Sequence, residues 1–367
     1  MHRLQLHYSL SRNSSPALVR NPLIDLLQAV ASQGSISAGA RALGLSYRHV
    51  WGELKRWENE LGNELVVWEK GQSARLSEFG NKLMWAERQA QARLAPHIEA
   101  LRGDLERAFA VAFDPHAHVA NLYASHDDAL AVLREHARAS QVHLDIHFCG
   151  SVDALRGLNE GRCVMAGFHT LQNPRPGSLA ERIYKPLLEP GLHKIIGFAK
   201  RTQGLMLAPG NPLHLHTLQD VVEQNARFVN RTLGSGTRVV LDDMLSQHGL
   251  TPNRLQGYQH TEPSHTAVAH AVAAGTADAG LGIAIAARAA GLDFVPLVQE
   301  NYHLVCLKSA LQDPAIAALQ ALLRSNAWQS TLAATPGYAP QHSGEVLSLR
   351  AVLPWWSFAR RKPRSKV

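Results

Sequence analysis

Residues 21–62 read NPLIDLLQAVASQGSISAGARALGLSYRHVWGELKRWENELG, and their spacing decides the front of the molecule. Pro22 suits the first turn of a helix capped by Asn21, and Leu23, Ile24, Leu26, Leu27 and Val30 fall on one helical face. Gly34 stops that helix. Ser35 or Ser37 can cap a second, short one carrying Ile36, Ala38, Ala40 and Leu43. Gly44-Leu45-Ser46 then makes a tight turn with Leu45 pointing inward, and Ser46 caps a third helix running to about Glu60 on Val50, Leu54 and Trp57. Short helix, glycine turn, helix is the helix-turn-helix layout, whose second member enters the DNA major groove. Its exposed face offers Ser46, Tyr47, Arg48, His49, Glu53 and Lys55. Arg48 suits guanine or phosphate, and Tyr47 suits sugar-phosphate or a thymine methyl. The same spacing also occurs in all-α domains that touch no DNA, so the next segment matters.

Working outward, Leu65–Glu69 reads as a strand, 70–73 as a turn and Ala74–Leu76 as the returning strand, after which Ser77 caps a helix through Phe79, Leu83 and Trp85. A two-stranded wing tipped by Lys70 and Arg75 would serve phosphate or the minor groove. A plain surface hairpin explains the strands but not their place directly behind the turn motif. Residues 34–80 resemble the winged helix-turn-helix of LysR-type regulators. They are closer still to the N-terminal domain of molybdate-responsive regulators, through Ser46-Tyr47 and Trp51 at the recognition-helix start and Leu76-Ser77-Glu78-Phe79-Gly80 behind the wing. The resemblance covers about residues 20–90 and implies a double-stranded DNA operator as partner.

Residues 77–112 carry long side chains, interrupted only by Pro96 and Gly103. Leu94, Ile98, Leu101, Leu105, Ala108 and Ala112 alternate steps of four and three, the mark of a packing seam. Pro96 should kink this helix or mark its real start. The seam packs either on its own domain or on a second copy. In the families resembled, this helix builds the homodimer or a higher homo-oligomer.

From Val119 the texture changes to short apolar strands alternating with helices, which argues an open, mainly parallel α/β sheet with its ligand beyond the strand C-termini. Ser125, His126, Gly150, Ser151 and His169 fall on that edge. A second set begins beyond residues 203–212. Phe228-Val229-Asn230 reads as a strand leading into Arg231-Thr232-Leu233-Gly234-Ser235-Gly236-Thr237-Arg238. Gly236 brings backbone N–H groups close, Ser235 and Thr237 add hydroxyls, and Arg231 or Arg238 adds charge at a helix N-terminus. Locally, an anion site and a structural turn explain this equally well. Ser264 caps the next helix, and 275–282 forms a turn into a small-residue strand that something must approach closely.

Residues 117–330 resemble the type II periplasmic-binding-protein fold, in the branch met in molybdate-related regulators and at the end of some molybdopterin-biosynthesis proteins. The carrying elements are Ser125-His126-Asp127, R-x-x-G-L-x-x-A-P-G-N-P at 201–212, R-x-x-G-S-G-T-R at 231–238, A-x-G-x-A-D-A-G-L-G at 273–282 and GLDFVPL at 291–297. The resemblance implies two lobes that close on a ligand and move the DNA-binding heads. Candidate ligand residues are Ser125, His126, Gly150, Ser151, His169, Arg231, Ser235, Gly236, Thr237, Arg238 and Ser264. Converging donors without a carboxylate cluster suit a small oxyanion rather than a cation. The families resembled make molybdate or tungstate the first choice, with formate or a molybdopterin-like compound as alternatives.

The expected fold class is α/β overall: a winged helix-turn-helix at 20–80, a linker helix at 81–113, a two-lobed domain at 117–350 with its second lobe about 210–298, and a basic tail at 351–367. Composition agrees. Of 367 residues, 46% are hydrophobic, which excludes a wholly disordered chain, and three cysteines (Cys149, Cys163, Cys306) in apolar runs read as reduced core thiols. The absence of an apolar run of membrane length or an h-region points to a cytoplasmic protein with no membrane partner. The formal charge of +7 sits mostly in the last eighteen residues, which hold six basic and no acidic side chains. Catalysis is disfavoured, because no G-x-S-x-G elbow, H-E-x-x-H or paired-carboxylate motif occurs and no catalytic cofactor or metal is called for.

Overall fold

The computed structural model describes residues 22–68, 74–113, 118–140 and 142–356, apart from the side chains of 102–104, 106, 107, 109–111, 113 and 139. The Asn21 cap, the hairpin tip with Lys70 and the tail from 357 onward lie outside the described residues. The chain divides into two compact units between Ala92 and Arg93.

In the first unit, α1 (Pro22–Gln33), α2 (Ile36–Ala42) and α3 (Tyr47–Leu61) precede β1 (Val66–Val67) and β2 (Arg75–Leu76), which pair antiparallel. Ser35 caps α2 by accepting the Ala38 N–H at 3.1 Å, and Ser46 caps α3 by accepting that of His49 at 3.2 Å. Gly44 turns the chain between α2 and α3 at φ +67°, a conformation side chains resist. Leu23, Leu26, Leu27, Ile36, Val50, Leu54, Leu65 and Met84 fill one core. The expectation that Leu45 points inward is corrected: it is 39% exposed. The turn is held by its backbone, Leu45 N–H to the Ala40 carbonyl at 2.9 Å, and needs no buried side chain there.

Helix α4 (Glu78–Phe113) runs through Pro96 without a break. A proline removes one N–H from a ladder of many and is tolerated where the rest of a long helix holds. Leu94, Leu101 and Leu105 of the expected seam are exposed on this chain.

The second unit contains a large sheet. Strands β3 (His118–Ala124), β4 (Val142–Phe148) and β5 (Met165–Leu171) are parallel and interleave with α5 (Asp128–Ala139) and α6 (Ser151–Asn159). After α7 (Leu179–Tyr184) comes the fifteen-residue strand β6 (His193–Leu207). The chain then forms α8 (Leu218–Glu223), β7 (Phe228–Arg231), α9 (Gly236–Gln247), β8 (Thr261–Glu262), α10 (His265–Ala273), β9 (Ala279–Ile283) and α11 (Ala284–Ala289). A second fifteen-residue strand, β10 (Asp293–Leu307), precedes α12 (Pro314–Arg324), α13 (Asn326–Ala334), β11 (Tyr338–Pro340), β12 (Val346–Ser348) and α14 (Leu349–Val352). The strand order is β4-β3-β5-β10-β6-β9-β7-β8, with β11 and β12 also on β6.

The expected mainly parallel sheet is therefore mixed. β10 pairs antiparallel with β5 and β6, and β6 antiparallel with β9. β6 and β10 pass through both lobes, so each lobe receives half of an antiparallel pair. Leu155, Phe168, Tyr184, Ile195 and Val305 pack the first lobe, and Leu205, Phe228, Leu241, Leu245 and Leu281 the second. Helix α9 serves both cores, giving Val239 to the first and Val240, Leu241 and Met244 to the second. The small residues of β9 do meet close neighbours, since a Cβ at Gly280 would lie 2.4 Å from Val268 Cγ1.

Candidate functional site

The sheet topology brings loop ends from both lobes to one place. Ser125 follows β3, Gly150 and Ser151 open α6, and His169 lies on β5; from the other lobe come Arg231 at the end of β7 and Gly236-Thr237 in the first turn of α9. Ser125 Oγ and Ser151 Oγ are 3.4 Å apart, and Ser151 Oγ is 3.4 Å from His169 Nδ1. The α9 backbone lies directly on that imidazole, so that a Cβ at Gly236 would sit 2.5 Å from His169 Nδ1. Thr237 Oγ1 accepts from Gln203 Nε2 at 3.2 Å and lies 3.4 Å from His265 Nε2. Where the lobes meet, the Val152 N–H donates to the Gly234 carbonyl at 3.3 Å, and a Cβ at Gly150 would be 2.8 Å from that oxygen. This is a closed cleft.

Its electrostatics are asymmetric. Arg201 is buried between Asp127 and Glu300 and pairs with both, while the Tyr338 hydroxyl donates to Asp127 Oδ2 at 2.9 Å. Those carboxylates are already engaged. Arg231 is 2% exposed and donates through Nη2 to the Pro263 carbonyl at 2.9 Å, but has no carboxylate ion partner among the described residues, and its Nε is unbonded. Burial, then the Arg201 charge, pull its guanidinium down to about 9, which leaves it a cation at neutral pH. Around it stand neutral imidazoles. Burial and the Arg231 charge push His126 down to about 4 and His265 well below the usual range. Burial and the Arg201 charge do the same to His169. His169 Nε2 and His265 Nδ1 are buried without hydrogen-bond partners among the described residues. A buried cation with an unused N–H, beside carboxylates that pair with Arg201 instead, has the chemistry to accept an anion.

Arg238 corrects the sequence expectation. Its guanidinium lies 3.7 Å over the Tyr258 ring, faces Asp242 at 3.5 Å and donates to the Arg231 and Tyr258 carbonyls, so it braces the second lobe instead of facing the cleft. Ser235 and Ser264 spend their hydroxyls as caps, accepting the Arg238 N–H at 3.3 Å and the Ala267 N–H at 3.1 Å. His126 packs its ring on Phe148 at 4.8 Å. Sequence reasoning missed Gln203, His265 and the Arg201–Asp127–Glu300 group. Gln203, Arg201 and Glu300 sit on the two crossing strands, whose full length was not read; His265 directly follows the Ser264 cap and was the one within reach.

On the first unit, Ser46, Tyr47, Arg48 and His49 are exposed together at the start of α3, with Trp51 one turn on. Arg48 has no ion pair among the described residues. Lys55 is corrected from a free contact to a structural one: it pairs with Glu58 at 2.6 Å and lies 5.0 Å over the Trp68 ring. Glu58 is buried and accepts the N–H groups of Leu65 and Val66 at 2.8 and 3.2 Å, tying the wing to α3. Arg75 is exposed at the wing.

Residues 133–324, more than half of the chain, match the PBP superfamily domain. The chain belongs to the PBP superfamily. Ahead of that domain, residues 23–81 match the bacterial regulatory helix-turn-helix of the lysR family, so this PBP-superfamily chain carries a LysR-type front. It is 31% identical to the uncharacterized protein YvgK of Bacillus subtilis (strain 168) over 54% of this chain and 63% of that protein, and so spans less than two thirds of that relative. It is also 31% identical to an uncharacterized protein in the ferredoxin 2Fe-2S gene 5' region of Clostridium pasteurianum, over 30% of this chain and 98% of that one. A full-length BenM mutant has a TM-score of 0.43 at 14% identity, covering 84% of this chain and 96% of BenM.

Proposed function

We propose that this protein is a cytoplasmic, ligand-responsive transcriptional regulator of LysR type that binds an operator as a homodimer and senses a small oxyanion, with molybdate or tungstate as first candidates. The observation that carries the effector reading is Arg231: a buried cation with no carboxylate ion partner among the described residues, in a closed cleft lined by unbonded imidazole nitrogens. An isolated buried charge is costly, and a bound anion removes that cost while taking up the spare donors. The DNA reading rests on the family match at 23–81 and the exposed start of α3. The homodimer reading rests on the exposed leucines of α4, which a second copy would cover. No step in this reading is catalytic.

The test is to select genomic fragments retained by the purified full chain, then measure affinity for one fragment with and without molybdate, tungstate, sulfate or formate. The expected result is selective retention that changes with at least one anion. Turnover of a small substrate without DNA retention would contradict it.

A further inference from the structure

The linker helix touches both halves of the sensor through oppositely charged residues six positions apart. Arg93 on α4 forms a two-pronged pair with Glu262, Nε to Oε2 at 2.8 Å and Nη2 to Oε1 at 2.6 Å. Glu262 is 4% exposed and belongs to the second lobe, in register with Arg231 across β7 and β8. Its neighbour Pro263 supplies the carbonyl that holds the Arg231 guanidinium. Glu99, also on α4, pairs with Arg134 of α5 in the first lobe. Arg134 is 2% exposed, and its Nε and Nη1 have no hydrogen bond among the described residues.

From this arrangement we infer that Arg93–Glu262 and Glu99–Arg134 form a two-point clamp by which α4 registers the separation of the lobes, so that occupancy of the Arg231 site is passed into the helix that continues to the reader. The inference rests on the proposed anion site for its trigger, but not for its geometry. Two anchors on one rigid helix fit only one spacing of their partners; a lobe rotation must release one of them. Arg93–Glu262 is the anchor nearer the guanidinium that an anion would draw. In each anchor one member is buried, Glu262 in one and Arg134 in the other, so releasing either leaves a buried charge without that partner. Both Glu99 and Arg134 also act on the His126 imidazole, which places the Glu99–Arg134 anchor within electrostatic reach of the cleft.

The clamp is tested in two arms on the full chain. Without any anion, hydrogen exchange of the backbone amides in 94–100 should speed up in Arg93→Gln and in an Arg134→Met, Glu99→Leu double variant; unchanged exchange in both overturns the clamp. With molybdate as probe, an anion-dependent change in operator affinity of about 5–150-fold, the usual size of such coupling, should fall below about twofold in Arg93→Gln. Arg93→Lys should keep part of it. The molybdate-induced thermal shift should persist in Arg93→Gln. A full anion response in Arg93→Gln contradicts the clamp. If molybdate changes nothing in the unmodified protein, the effector reading fails and the exchange arm still decides the clamp.

Discussion

Arg231 sets the character of the cleft. Among the described residues its charge lacks a carboxylate ion partner, because Arg201 already holds Asp127 and Glu300. Replacing it with Met should abolish anion-induced thermal stabilisation without lowering the midpoint of the ligand-free protein, since an apolar side chain avoids burying an unpaired charge. A clear loss of ligand-free stability would show that Arg231 is structural. The imidazoles give a signed pH dependence. His126 titrates near 6.5 when unfolded and near 4 in the fold, so its contribution is fully present above pH 6.5 and is lost as pH falls toward 4. Asp128, raised to about 6 by burial and Asp127, acts in the opposite sense, losing stability as pH rises through that value. Comparing midpoints of the unmodified protein and His126→Asn between pH 7 and 4.5 isolates the histidine: the variant should have the smaller acid loss, and identical profiles would remove His126 from the cleft's proton balance. On the reader, Arg48→Ala should weaken selected-fragment binding by about 1–3 kcal/mol relative to random DNA. An equal loss on both would assign Arg48 to phosphate.

Among the elements, α3 with its wing and α9 with its N-terminus carry the two proposed sites. Glu58 joins α3 to β1 by accepting two backbone N–H groups, so Glu58→Ala should cost the first unit about 1–3 kcal/mol, read as a lower unfolding midpoint; no change would mean the wing holds without it. Most helices were legible from caps and apolar spacing. Ser35, Ser46, Ser77, Ser235 and Ser264 each sit where a capping hydroxyl is expected, and each accepts a helix N–H. The long strands were not legible. β6 contains Lys194, Lys200, Arg201 and Gln203, and β10 contains Pro296, Gln299 and Glu300, which interrupt any apolar run. Of these, Arg201, Gln203 and Glu300 contact the cleft residues or each other, and the antiparallel centre of the sheet went unread with them. For the same reason Arg201 and Gln203 went unrecognised. Arg238 misled because position alone put it beside Arg231, whereas Tyr258, far along the chain, decides where its guanidinium goes.

For the whole molecule, the proposed reading joins reader, linker helix and sensor: an anion in the cleft would alter the lobes, the lobes would alter α4, and α4 would carry the change to the reader. In a homodimer, the exposed Leu101 and Leu105 would be covered by the second copy. Leu101→Glu with Leu105→Glu should therefore give a monomer by light scattering, with weaker binding to a two-fold DNA site; an unchanged dimer would place the interface elsewhere. The overall positive charge has little part in this, since most of it lies in the last eighteen residues. The anion is the first link in the proposed mechanism. Its most direct test is a thermal-shift titration of the unmodified protein and Arg231→Met with molybdate, tungstate, sulfate, phosphate and formate. A saturable rise in midpoint with at least one anion, absent in Arg231→Met, is the predicted result. No shift with any anion, or the same shift in both proteins, would contradict the account.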